Sequence, residues 1–190
     1  MKYELVKTDT RNFSGKTLYR IKALIAIGGF ISPGDLGGYV EKEANLSQSG
    51  DAWVYGNARV YGDARVYGDA WVSGDAWVYG DARVYGNAQV YGDARVYGDA
   101  QVYGDARVSG DAWVYEQKNW LLVGPAKSSG RFTTAFVDEK IGVRVVCGCF
   151  TGSVLEFSQQ IEKTHVNNKE ALEQYRLFCQ LIAFNFGEQT

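Results

Sequence analysis

Cys147-Gly148-Cys149, Cys179 and His165 give the chain its three thiols and its single imidazole. These are zinc-ligand types, but structural zinc sites usually place two or more residues between paired cysteines, and here there is one. Cys179 falls on an apolar helical stripe and Cys147 ends a strand pattern, where cysteine acts as a small hydrophobe. His165, at the end of a helical segment, suits capping of the last carbonyls or packing. No metal and no cofactor is expected, and whether Cys147, Cys149, His165 and Cys179 meet is left to the fold. Ser128-Ser129-Gly130-Arg131 lies between two strand patterns. It combines hydroxyls, backbone amides and a guanidinium, which together make a candidate anion loop; a plain hairpin loop is the competing reading. The sequence contains no G-x-x-x-x-G-K-[ST] phosphate loop.

A larger group of side chains recurs at fixed spacing. Eleven hexads begin with Ala, from Ala52 to Ala112, without a slip. Third place is always Val, from Val54 to Val114. Fourth place is Tyr except at Ser73 and Ser109, fifth is Gly until Glu116, and sixth is Asp or Asn until Gln117. Leu46–Asp51 keeps the spacing as a degenerate twelfth unit. Such repetition decides architecture before local propensity does. Within a hexad the period is two: Arg59 out, Val60 in, Tyr61 out. Gly-Asp or Gly-Asn then turns the chain, and Ala fits the inside of the corner. Three units close an 18-residue triangular coil, and twelve units make four coils. At ~4.8 Å per coil the stack is roughly 20 Å long.

Val54-Tyr55-Gly56-Asn57-Ala58-Arg59 resembles the hexapeptide rule of left-handed parallel β-helices. Tyr in the second place departs from that rule but faces outward. A pentapeptide helix needs period five and a calcium-binding roll a nonapeptide, and neither fits. With a period of 18, outward residues fall in columns. One face carries Trp53, Trp71, Gln89 and Arg107. The second carries Arg59, Trp77, Arg95 and Trp113, beside Tyr61, Tyr79, Tyr97 and Tyr115. The third carries Ser47, Arg65, Arg83 and Gln101, beside Tyr67, Tyr85 and Tyr103. These side chains either pack on one another or form an interaction surface, with Trp53, Trp71, Arg59, Trp77, Arg95, Trp113, Tyr61, Tyr79 and Tyr97 as its candidates. Residues 46–116 hold nine Asp and one Glu against five Arg. Turn chemistry accounts for the corner acids Asp63, Asp81 and Asp99 without ion binding or phosphate mimicry.

Exposed rungs need capping. Residues 1–45 are read as an N-terminal β cap, with one strand over Lys16–Ile27 and Gly34-Asp35-Leu36-Gly37-Gly38 as the turn into the first coil. Residues 46–116 are the β-helix. Residues 117–190 are read as a small α+β domain with strands at Trp120–Gly124, Thr133–Asp138 and Val143–Cys147. A capping box at Ser153–Glu156 starts a helix to about His165, and Leu172, Tyr175, Cys179, Ile182 and Phe186 stripe a second that Gly187 ends.

The chain is 190 residues long, 46% hydrophobic and carries a formal net charge of −2, which announces neither a nucleic-acid binder nor a membrane-surface protein. The first residues lack the apolar run of a signal peptide, and the longest apolar stretch, Ala23–Ile27, is too short to span a bilayer. Three cysteines make no even disulfide framework, so a cytoplasmic location is expected.

The terminal segments resemble a group of phage- and prophage-encoded hexapeptide-repeat proteins. The likeness lies in Leu18-Tyr19-Arg20-Ile21, Gly34–Gly38, the tandem units, Gly148-Cys149-Phe150-Thr151-Gly152, Glu156-Phe157 and Thr164-His165. It implies no activity and no catalytic residue. The function expected is a non-enzymatic binding or scaffold protein, a phage accessory factor that engages a host protein or small ligand. A homo-oligomer is expected, a trimer ahead of a dimer. The alternatives are an acyltransferase-like enzyme with an interfacial site, although its β-helix has no histidine for that chemistry, and a structural virion component.

Overall fold

The computed structural model describes residues 1–187, which fall into two compact units, Met1–Gln117 and a second that begins at Lys118. In the first, each hexad forms a two-residue strand, from Trp53–Val54 to Trp113–Val114. These rungs pair in parallel at intervals of eighteen residues, Arg59 with Trp77 and Trp77 with Arg95. They build three stacks of a mainly β solenoid. Backbone amides bridge successive levels, as Arg59 N–H to the Ala76 carbonyl at 2.9 Å and Tyr61 N–H to Val78 at 3.1 Å. The repeated Val and Ala side chains are buried in every hexad, an apolar axis that contributes roughly 25 cal/mol per Å² removed from water. The degenerate unit does not keep the eighteen-residue register at its start. Leu46, first in its hexad, is buried and bridges to Val66 twenty residues on, and Ser47 N–H bonds to the Val66 carbonyl at 2.9 Å, so Ser47 does not pair with Arg65 as the spacing predicts.

The corner glycines are required sterically. Gly86 has φ 69°, and a Cβ there would lie 2.9 Å from the Gly104 amide nitrogen one level on. The corners stack backbone on backbone, leaving no room for a side chain.

The N-terminal segment is a three-stranded continuation of the second stack rather than one strand and a turn. β1 (Tyr3–Phe13) pairs antiparallel with β2 (Lys16–Ala23), which pairs antiparallel with β3 (Leu36–Val40), and β3 runs parallel to Arg59–Val60. β1 is not apparent in the sequence because its central residues are polar and its pairing slips between Val6 and Thr10. β2 stops at Ala23, not Ile27: Gly34 N–H closes on the Ala23 carbonyl at 2.8 Å, and Leu24 and Ile25 face solvent. Gly34–Gly38 is half turn and half strand. Gly38 is glycine because a Cβ would stand 2.6 Å from the Ala58 carbonyl oxygen of the neighbouring rung.

The second unit is a four-stranded antiparallel sheet in chain order with two helices. β4 (Trp120–Val123), β5 (Thr133–Asp138) and β6 (Gly142–Cys147) are the strands legible in sequence. β7 (Phe150–Ser153) is an addition: four residues too short and too small to read as a strand, recruited by in-register pairing of Phe150 with Cys147. α1 (Val154–Thr164) starts at a capping box, with Ser153 N–H donating to Glu156 Oε2 at 2.8 Å and Glu156 N–H to Ser153 Oγ at 3.2 Å. α2 (Lys169–Phe186) starts at Asn168 and ends at Gly187, φ 70°. Ala135, Val145, Phe157, Ile161, Tyr175 and Ile182 share the core between helices and sheet. Among the described residues no helix is long and apolar enough to cross a membrane.

Candidate functional site

The aromatic columns are stacked, and partly covered by the chain itself. Trp77 lies between the guanidinium groups of Arg59 and Arg95, 5.2 and 4.8 Å from its ring centroid, and Arg95 also faces Trp113 at 5.4 Å. Tyr61, Tyr79 and Tyr97 form a parallel ladder at 5.0 and 4.9 Å. Both indoles on this column, Trp77 and Trp113, therefore find a cation within the chain.

Two surface candidates are corrected. Trp53 is fully buried: Tyr3 of β1 closes over it edge-on at 6.3 Å, and its indole nitrogen has no hydrogen-bond partner among the described residues. Tyr61 is buried beneath Phe13 at 5.8 Å. Burial, then the neighbouring Tyr79, pushes the Tyr61 hydroxyl up to about 12, while Arg59 and Arg95 pull it back. Trp71, Trp77, Arg59, Arg95, Trp113, Tyr79 and Tyr97 are half-buried. The sequence places every one of these side chains outside the tube, and it is the N-terminal strands, whose pairing is not legible locally, that bury two of them.

The chemically mixed site is in the second unit. A cavity of about 290 Å³ is lined by Arg131, Cys147, Cys149, Phe150, Phe157, Gln160, Ile161, Thr164, His165 and Tyr175. Four local decisions build it. The β6–β7 hairpin turns at Gly148, φ 60°, and a Cβ there would meet Arg131 Nη1 at 3.1 Å, so the guanidinium lies against bare backbone. The hairpin presents Cys149 and Phe150. α1 supplies Phe157, Gln160, Ile161 and Thr164 from one face. His165 ends α1, its backbone N–H donating to the Ile161 carbonyl at 2.9 Å, while its ring stacks on Tyr175 at 5.0 Å and 16°.

Of the candidate anion loop, Ser129 and Arg131 lie together and Ser128 lies apart. Ser129 Oγ is 3.0 Å from the Tyr175 hydroxyl and accepts from Arg131 N–H at 3.2 Å. Ser128 instead lines a groove with Lys127, Asn168 and Gln174. Ser128 parts from the other two at a turn closed by Ser129 and Gly130 N–H on the Ala126 carbonyl, while Ser129 and Arg131 both lie by Tyr175. Only Arg131 reaches the cavity. Burial, chiefly, raises the Tyr175 hydroxyl; Cys147 adds to this, while Ser129 and Arg131 oppose it.

Cys147, Cys149 and His165 border this one cavity, whereas Cys179 is buried in the core. Burial, and then the charge of Glu162, pushes the Cys179 thiol up to about 11, the opposite of an activated thiolate. Among the described residues no group of three or more His, Cys, Asp or Glu stands close enough to hold a metal ion. Residue reasoning did not find Gln160 or Phe150 as cavity walls. The signal was present in Gly148–Gly152, Phe157 and Thr164-His165, which the fold brings to one place.

A family model described as the YdcK beta solenoid repeat matches residues 52–68, 58–74, 64–80, 76–90, 88–100 and 100–116. The likeness covers the rungs and supports a repeat β-helix; it does not extend to the second unit. No curated protein matches the chain.

Proposed function

We propose that the protein is a non-enzymatic binding protein. Its solenoid is a rigid scaffold, and its second unit holds a small ligand that carries an anionic group on a flat apolar body. The observation that supports this is the convergence of Arg131, Cys149, Phe150, Thr164 and His165, from separate segments, on one cavity of about 290 Å³. Arg131 offers a charge-assisted fork to the anion. Phe150, Phe157 and Tyr175 offer ring surface. A few polar groups on a largely apolar wall are the usual composition of such pockets. The role extends to a phage accessory factor that self-associates, as a trimer before a dimer, in a host cytoplasm. The likeness of the terminal motifs supports that extension, and three free thiols suit a reducing compartment.

Native mass spectrometry of tagged protein recovered from bacterial lysate tests the reading. The intact protein is expected to retain a small-molecule mass that Arg131→Ala loses. Recovery of bare protein in both cases, or the same adduct in both, would count against it. The same spectra give the subunit number and any host protein retained. The enzyme reading draws on His165, which borders this cavity; micromolar binding of acetyl-CoA in calorimetry would favour it.

A further inference from the structure

The geometry points to a second recognition site, on the first unit: a groove lined by Phe30, Asp35, Leu36, Tyr55 and Trp71 that takes an arginine side chain from a partner protein. Its volume is about 360 Å³. Phe30 and Trp71 stand nearly perpendicular, 81°, with ring centroids 6.2 Å apart, so two walls of the groove are aromatic. Asp35 provides a carboxylate at the same place, with one oxygen accepting from Ser32 N–H at 2.8 Å.

The protein shows what fits such walls. Trp77, on the next face of the solenoid, is held between the guanidinium groups of Arg59 and Arg95. At Trp71 the adjacent rungs carry Trp53 and the neutral Gln89 instead. Among the described residues Trp71 has no cation over its ring. The ammonium of Lys2, at the start of the chain, is held by the Gly50 and Ala52 carbonyls at 3.2 and 2.8 Å. An indole with a carboxylate beside it and no internal cation is complementary to an external one.

Guanidinium matches better than ammonium, because its plane lies on the indole while its fork reaches the carboxylate. A protein is the source because the rim is apolar and open: Phe30 is 83%, Tyr55 50% and Leu36 45% exposed. Aromatic residues around a charge are the composition of protein-binding hot spots. The site is also preorganised. Ile27 and Ile31, both buried, bridge each other and hold the loop that carries Phe30, and a Cβ at Gly28 would lie 3.3 Å from the Trp71 ring.

The test is an NMR titration of the full chain, followed at the Trp71 indole N–H, which is assigned by Trp71→Phe. The probe is the peptide acetyl-Leu-Arg-Leu-amide, and its control carries citrulline, which has the same shape without the charge. The arginine peptide is expected to move the Trp71 resonance and to bind about fivefold more tightly than the citrulline peptide. Asp35→Asn keeps an oxygen for Ser32 N–H, so it should remove that preference with the melting temperature unchanged. Tyr55→Ala, on the solvent side, should weaken the arginine peptide in the same way. Equal binding of the two peptides, an unmoved Trp71 resonance, or N-acetylarginine amide matching the tripeptide would overturn the proposal. The last result would make the groove a small-cation site. None of these readouts involves the Arg131 cavity.

Discussion

Phe13 lies edge-on against the indole of Trp77, with ring centroids 4.6 Å apart and planes at 73°. The same phenyl ring meets Tyr61 at 5.8 Å and the Arg59 guanidinium at 4.7 Å. One residue at the end of β1 thus closes the upper part of the cation–indole column and fastens the first strand to the solenoid.

Phe13→Ala is expected to destabilise the first unit by about 2 kcal/mol, less than the loss of a fully enclosed ring because Phe13 keeps some solvent contact. It should also uncover Trp77. Urea unfolding followed by tryptophan fluorescence would show a lower midpoint and, before unfolding, a red-shifted native emission.

Val84 is fully buried on the solenoid axis and pairs with rungs on both sides, at Val66 and Val102. A carboxylate there has no partner in the core. Val84→Asp should cost on the order of 3 kcal/mol or more. Because stability in a stacked repeat is close to a sum over neighbours, the damage should be local. Hydrogen exchange should accelerate at Tyr67 and Tyr85 N–H, which bond to Val84 and Val102 carbonyls, well before it does in the β1–β2 pair.

Lys2 is buried, and that burial lowers its ammonium to about 8, against the opposing pull of Asp51 and Asp69. The unfolded chain holds that proton up to about 10.4. Between the two values the unfolded state binds more protons, so stability should rise as pH increases from about 8 to about 10.4. Lys2→Met should flatten that rise. Chemical denaturation across the range checks it, and an increment identical in both proteins would refute the assignment to Lys2.

Asp138 is buried beside Arg144. Burial would raise its carboxyl, but the Arg144 hydrogen bond and charge and the Lys140 and Ile141 amides outweigh it, and it stays below the ordinary carboxylate range. A depressed folded value means that the stabilisation is fully present above about 3.9 and is lost as pH falls through the folded value. Asp138→Asn should lower the stability of the second unit at neutral pH by roughly 2–3 kcal/mol and remove its share of the acid sensitivity. Acid titration followed by circular dichroism reads both.

The rungs were fully legible because their information is local and repeated. Val and Ala at fixed places state the inside and the clearance eleven times over, and Gly states the corner in all but the last of these hexads. The capping box at Ser153 and the Gly187 stop were legible for the same reason, since each needs only its own turn of chain. β1 and β7 were not, because neither has an apolar alternation of its own. They are strands by virtue of β2 and β6 beside them. Of the candidate surface, the alternation of Arg59, Trp77, Arg95 and Trp113 followed from the period. The burial of Trp53 by Tyr3 did not, because the two are fifty residues apart.

The sequence alone determined the eighteen-residue coil, the valine axis and the outward columns, because a short-range period leaves the backbone one way to bury its apolar side. Tertiary structure decided which outward residues stay outward and which of the scattered Arg131, Cys149, Phe150, Thr164 and His165 share a wall. Those outcomes depend on long-range strand pairing and on the packing of helices on a sheet, and no local pattern encodes the partner.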